Sequence, residues 1–397
     1  MSHPIYLDCH ATTPVDERVV EAMLPYFNQR FGNPASGVHA YGWEAEAAVE
    51  RARQTVAEAI GATPDEIAFT SGATEANNLA IKGTAEAYFR RGRHIVTVQT
   101  EHRAVLDPCN YLEQLGFEVT YLPVNAQGLL DPQQVAQALR RDTVLVSVMV
   151  ANNEIGVLQP IGEIGAICRE HGVPFHTDAA QAIARVPLSV DALAVDLMSL
   201  TAHKAYGPKG IGALYVRQRQ RRARLAPQMH GGGQEGNLRP GTLYPPQIAG
   251  MAKAIELGCA EMAARAQHQR QLRQRLWAQL SAALDSLYLN GHPSERLPGN
   301  LNISVAGVDG LSLLSGVMAV AAVSAGSACS SGSSAPSHVL KALGRSDRLA
   351  RASLRFGIGR DNTAEQIDRV ARQTVATVRS LRSAETVAAA KPTSSGG

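Results

Sequence analysis

Three titratable side chains follow strand-like runs and could share one site. Asp178 follows the run Pro174–Thr177, Lys204 follows Leu197–Thr201, and His102 follows His94–Val98 after the short connection Gln99–Glu101. In open α/β sheets, ligands sit beyond the carboxyl ends of strands, so each of the three is placed where a ligand would bind. An amine just past an apolar strand is desolvated, which lowers its pKa and favours Schiff-base formation. A carboxylate can hold a pyridine nitrogen protonated, so that the ring absorbs carbanion electrons. An imidazole can stack on such a ring and move a proton. Each also has a plainer use: a helix cap for Asp178, a surface charge for Lys204, a structural histidine for His102. Lys209 is the alternative amine, but its neighbours in Gly207-Pro208-Lys209-Gly210 predict a solvated turn.

The cofactor that would use this set is pyridoxal phosphate (PLP). Ser71-Gly72-Ala73-Thr74 lies between a strand and a helix, where backbone N–H groups and the Thr74 hydroxyl could hold its phosphate. Many such turns bind nothing, so this signal counts only with the others. Gln181, one turn after Asp178, could bond the ring's phenolic oxygen, and Thr201 and His203 could add phosphate donors. Cys329 stands in a Gly/Ser-rich stretch, Ser324 to Ser334, unlike the apolar patterns in which buried cysteines live. It reads as an exposed nucleophile. Cys109, Cys168 and Cys259 sit in helical patterns and read as core, while Cys9 fits neither reading clearly. Arg355, in Ser353–Phe356, could grip a substrate carboxylate with two parallel bonds or form a surface ion pair.

The elements that must position these groups alternate. Strands are expected at Glu66–Thr70, His94–Val98, Phe117–Leu122, Thr143–Val150, Pro174–Thr177, Leu197–Thr201 and Gly212–Val216, with helices between, one of them Glu75–Phe89. That order predicts an α/β fold with a mostly parallel sheet covered on both faces. One helical pattern spans Pro245–Ser286, then strand Leu301–Val305, helix Gly310–Val317, strand Ser353–Phe356 and helix Ala364–Leu381 follow. Thr363 and Gln366 have capping-box spacing. Residues 16–257 read as a large PLP-binding domain, 1–15 and 258–385 as a small domain carrying the Cys329 loop, and 386–397 as a disordered tail. A net charge of +3 over 397 residues does not suggest nucleic acid or a membrane surface. No run approaches about 18 apolar residues. Five cysteines without a C-x-x-C pair suggest neither a disulfide framework nor structural zinc, so a reducing, cytoplasmic setting is expected.

Taken together, the segments resemble cysteine desulfurases of the class V aminotransferase family. The resemblance rests on Tyr6-Leu7-Asp8 with Ala11-Thr12-Thr13-Pro14, Phe31-Gly32-Asn33-Pro34, Thr70 to Glu75, Thr100-Glu101-His102 and Asn152 to Gly156. It continues through His176 to Gln181, His203-Lys204, Gly231 to Glu235, Gly326 to Cys329 and Leu354-Arg355-Phe356. It implies the fold type I, aspartate-aminotransferase-like PLP fold: a large domain with a mostly parallel seven-stranded sheet, plus a smaller α+β domain. It gives Lys204 the cofactor amine, Asp178 and Gln181 the ring, and His102 the stacking acid/base. Ala73, Thr74, Thr201 and His203 would hold the phosphate, and Thr242 would reach it from the other subunit of a homodimer. Asn153 and Arg355 would contact the substrate carboxylate, Asn153 the cofactor too, with Asn33 nearby.

Cys329 would carry the persulfide. L-Cysteine would lose its α-proton to Lys204, and the Cys329 thiolate would attack the substrate sulfur, giving L-alanine. The sulfur would pass to acceptors such as an iron–sulfur scaffold or a tRNA-thiolation relay. No resident metal is expected, although Cys329 could transiently ligate a nascent iron–sulfur cluster. Selenocysteine lyase, or another small-amino-acid PLP enzyme of the family, is the alternative. The chain departs from the usual pattern at Thr201-Ala202, Gly236-Asn237 and Pro240, which bears on the phosphate contact across the dimer.

Overall fold

The computed structural model describes residues 3–219, 223–325 and 335–390. Seven strands form the main sheet: β1 (Ile67–Thr70), β2 (His94–Val98), β3 (Glu118–Leu122), β4 (Thr143–Ser147), β5 (Phe175–Asp178), β6 (Leu197–Thr201) and β7 (Gly212–Val216). Their order is β1-β7-β6-β5-β4-β2-β3, and only β7 runs antiparallel to its neighbours. The expected α/β sheet of seven strands is present. Its central strands are buried throughout, as a sheet covered on both faces requires.

Each face has its own apolar core. Helices Ala40–Glu58, Ile161–Glu170 and Pro245–Ala260 bring Val49, Val56, Ile164, Met251 and Ile255 against Phe69, Val146 and Phe175. Helices Ala73–Ala87 and Arg103–Gln114 bring Leu79, Val105 and Leu112 against Ile95, Leu145 and Leu214 on the other face. A further core is built on the antiparallel strands β8 (Leu287–Leu289), β9 (Asn300–Val305), β10 (Ser324–Ala325) and β11 (Ser353–Gly357), in the order β10-β11-β9-β8. There Leu276, Leu313 and Val370 from three helices meet Ile303 and Phe356, and Leu7 joins from the N-terminal segment.

Three boundaries differ from the sequence pattern. The helical run after Pro245 breaks at Glu261 (φ −99°, ψ 2°) into Pro245–Ala260 and Met262–Ala283, and Leu287–Leu289 becomes a strand. Gly258 lies one turn before the break, and the Glu261 carboxylate takes Arg18 at 2.7 Å and also Arg265, four residues on. The last helix runs on from Leu381 to Ala390, five residues into the expected tail. Its Ala-rich end is a strong helix former, and Lys391-Pro392 follows, where the residue before proline disfavours helix. The Thr363–Gln366 capping box forms, with reciprocal bonds of 3.2 and 3.3 Å.

Candidate active site

The carboxyl ends of β1, β2, β5 and β6 surround a cleft of ≈ 540 Å³. Ala73, Thr74, His102, Asn153, Asp178, Gln181, Thr201, His203, Lys204 and Arg355 all line it. Asp178 ends β5 rather than following it, and its carboxylate is fixed from two sides. Asn77 Nδ2 donates to Oδ2 at 2.7 Å and the Ala180 N–H donates to Oδ1 at 2.8 Å. Opposite, Lys204 is half-buried, whereas Lys209 on the same cleft is exposed. The chain at Lys204 is stitched to the N-terminal segment. The Thr13 N–H and hydroxyl both donate to His203 O, at 3.0 and 2.9 Å, and Tyr206 N–H donates to Thr13 Oγ1 at 2.9 Å.

His102 caps helix Arg103–Gln114, its Nδ1 accepting from the Ala104 N–H at 3.0 Å. That contact assigns the proton of the neutral ring to Nε2. Burial, then the nearby Lys204 charge, lowers its pKa, so the neutral ring is favoured. Burial and the charges of Lys204, Lys209 and Arg185 push His203 down to about 4. Helix Ala73–Ala87 begins at Gly72 without any side-chain cap, leaving its first N–H groups and dipole for an anion. Gly72 sits at φ 152°, and β7 crosses so near that a Cβ on Gly212 would lie 2.7 Å from the Gly72 backbone. An uncapped helix start, a fixed buried carboxylate and an amine facing one cleft suit a pyridine cofactor carrying a phosphate.

The remaining expected residues are placed differently. Arg355 is buried rather than a surface pair. Its Nη1 donates to Asn153 O at 2.9 Å, and its Nη2 donates to Asp8 Oδ1 at 2.7 Å and Ser324 Oγ at 3.0 Å. Asn33 is exposed outside the cleft, its Oδ1 taking the Ala35 N–H at 3.0 Å in a local turn. Thr242 is exposed and also outside the cleft. Cys329 lies outside the described residues. Cys9 is buried, and burial raises its thiol to about 11, which favours the less reactive thiol form.

Asn77, Arg185 and Asp8 were not singled out from sequence. Asn77 lies one turn into helix Ala73–Ala87, on its buried side, and that periodicity was the available signal. Arg185, four residues after Gln181, and Asp8 reach their partners only through the fold.

The family model "Aminotransferase class-V" matches residues 5–370. "Cysteine desulfurase IscS" of Methylococcus capsulatus is 56% identical, over 93% of this chain and 91% of its own length. The chain belongs to the cysteine desulfurases of the class V aminotransferase family. "Cysteine desulfurase, mitochondrial" of Arabidopsis thaliana is 54% identical, over 96% of this chain and 83% of its own. Among solved structures, a "NifS-like protein" superposes with a TM-score of 0.88 at 36% identity, covering 95% of this chain and all of its own. "SspA in complex with cysteine" superposes at 0.81 with 39% identity, covering 90% of this chain and all of its own. Membership in this family accounts for the sheet order and for the cleft at the strand ends. Among the described residues no helix is long and apolar enough to cross a membrane.

Proposed function

We propose that this chain is a PLP-dependent cysteine desulfurase that converts L-cysteine to L-alanine and leaves the sulfur as a persulfide on Cys329. The observation that carries the reading is the convergence of Lys204, Asp178, His102 and Arg355 on one cleft. When bound, the cofactor supplies an electron-accepting ring held in its acidic form. Ala73 and Thr74, with Thr201 and His203, would hold the phosphate, Asp178 the ring nitrogen, Gln181 the phenolic oxygen and Lys204 the carbonyl carbon. Asp178, held by hydrogen bonds from Asn77 and the Ala180 N–H, is already oriented for that task. Neutral His102 would stack on the ring and exchange a proton at Nε2.

Arg355, carried on β11, would anchor the substrate carboxylate beside Asn153. Its existing bond to Asp8 means that the incoming carboxylate must share or displace that partner. With the substrate so held, Lys204 takes the α-proton. The Cys329 thiolate attacks the substrate sulfur and the C–S bond breaks. The carbon product is protonated to alanine and the sulfur stays on the enzyme as the persulfide, so no free sulfide is released.

Persulfide acceptors would be sulfur-accepting proteins such as an iron–sulfur scaffold, a role in line with the IscS relatives. A homodimer fits the exposed aromatics Phe27, Phe31, Tyr41, Trp43 and Tyr244, where Phe27 meets Tyr244 edge-on and Phe31 stacks near Tyr41. Thr242 adjoins Tyr244 in sequence and would reach a partner's phosphate from there. The large domain over 16–257 and small domain over 1–15 and 258–385 fit the separate apolar cores. Cys9, Cys109, Cys168 and Cys259 form no disulfide, which fits a reducing cytoplasm.

The deciding experiment measures alanine and protein persulfide from free cysteine with PLP-loaded protein, with Cys329→Ala alongside. Wild type should yield both, and the variant should bind PLP but form no persulfide. Normal persulfide transfer from the variant would sink the role of Cys329. A wild type that turns over only selenocysteine, or only with a keto acid present, would favour the other reactions of the family.

A further inference from the structure

Arg185 joins three segments on which the cleft depends. A guanidinium carries five N–H donors and no acceptor. Here Nε and Nη2 donate to Lys204 O at 3.1 and 2.7 Å, and Nη2 donates to Cys9 O at 2.7 Å. Nη1 donates to Gln181 Oε1 at 2.9 Å and to His10 Nδ1 at 3.0 Å. All five donors are used, and every acceptor is neutral. No carboxylate pairs with Arg185 among the described residues, so its charge stays uncompensated next to the lysine's own carbonyl. His10 Nδ1 also lies 3.2 Å from Gln181 Oε1; burial first, and then Arg185, holds the pKa of the ring well below the ordinary value, so the neutral ring is favoured.

We propose that Arg185 is a positioning residue for Lys204: it locks the lysine's main chain, the Gln181 amide and the Cys9–His10 segment into one unit and sets a positive charge against that unit. The inference rests on reading Lys204 as the cofactor-binding amine. The fork has geometric consequences that a point charge lacks. Gln181 must present its amide nitrogen, not its oxygen, away from Arg185; that nitrogen donates to His10 O at 2.9 Å and keeps a second N–H for the cleft. The charge is a separate part of the proposal: a like charge disfavours protonation of an amine, and the neutral amine is the form that can attack a carbonyl. The other titratable groups on the same cleft, His10, Glu75, His102, Asp178, His203, Lys209 and Arg355, stay in place in the variants that test this.

Two variants separate fork from charge. Arg185→Lys keeps the charge and loses the fork; kcat should fall about tenfold with KM for cysteine nearly unchanged, because orientation and not binding is lost. Arg185→Met loses both. In its apoprotein, the pH midpoint for acetylation of Lys204, read by peptide mass spectrometry, should rise by about one pH unit, while Arg185→Lys keeps the wild-type midpoint. A merely structural arginine would lower the melting temperature and move neither readout. Wild-type kcat in Arg185→Lys, or an unmoved midpoint in folded Arg185→Met, would overturn the proposal. Should Arg185→Met not fold, the kcat of Arg185→Lys decides alone. Wild type and Lys204→Ala run in parallel: a wild type inactive on cysteine, or an active Lys204→Ala, would refute the functional reading itself, separately from Arg185.

Discussion

Glu154 gives a prediction whose size follows from its surroundings. Its side chain is 6% exposed, and Oε2 accepts from Ser337 Oγ at 2.5 Å. Burial raises its pKa from 4.5 to about 7, against the smaller opposing pulls of the Ser337 bond and the Arg355 charge. The native protein therefore holds this proton more tightly than the unfolded chain does. Below about pH 4.5 both states are protonated and the contribution is whole. As pH rises from there through about 7 the contribution is lost, and above that no more is lost. At about 1.4 kcal/mol per pH unit the loss is roughly 3 kcal/mol. With an unfolding entropy of about 2 cal/mol/K per residue, that is a melting temperature lower by about 4 °C for a chain of this length.

Glu154→Gln keeps an acceptor for Ser337 and cannot ionise. Calorimetric melting of the apoproteins from pH 4.5 to 8 should show wild type losing about 4 °C more than the variant. Glu101, another buried carboxyl with a raised pKa, titrates equally in both and cancels in the comparison. Parallel melting curves for the two proteins would refute the reasoning. Ser337 and His338, whose Nε2 bonds Glu101 O at 3.0 Å, fasten the chain after Cys329 to the strand-end loops of the cleft.

Asn77→Ala removes one of two donors to Asp178. A bond to a charged group contributes about 1.5–3 kcal/mol, so PLP affinity, read by titrating the visible absorption band, should weaken by roughly tenfold or more. Glu235→Ala takes from the buried Arg53 its partner at 2.7 Å, leaving Glu50 at 3.1 Å, and from Phe69 N–H its acceptor; a loss of about 3 kcal/mol is expected from urea unfolding. Phe27→Glu in the exposed aromatic stretch should shift a dimer toward monomer in sedimentation velocity; an unchanged sedimentation coefficient would count against that face.

The sequence by itself determined the order of strands and helices and pointed to His102, Asp178 and Lys204 as one set. Alternating apolar runs and helical patterns located all seven main strands, because both faces of a parallel sheet are buried and its strands read as continuous apolar runs. The same logic placed His102, Asp178 and Lys204 near strand ends, where the fold brings them into one cleft. Tertiary structure decided what pairwise chemistry those residues have. Arg355 looked equally like a surface ion pair, and only packing against Asp8, Ser324 and Asn153 showed it to be buried at the cleft. The helix breaks at Glu261, whose carboxylate pairs with Arg18, 243 residues away, a contact that local periodicity cannot register. Asn77 and Arg185 matter for the same reason. Their donors are spent on atoms 101 residues off for Asn77 and up to 176 off for Arg185, so their roles exist only once the sheet has brought those atoms within hydrogen-bonding distance.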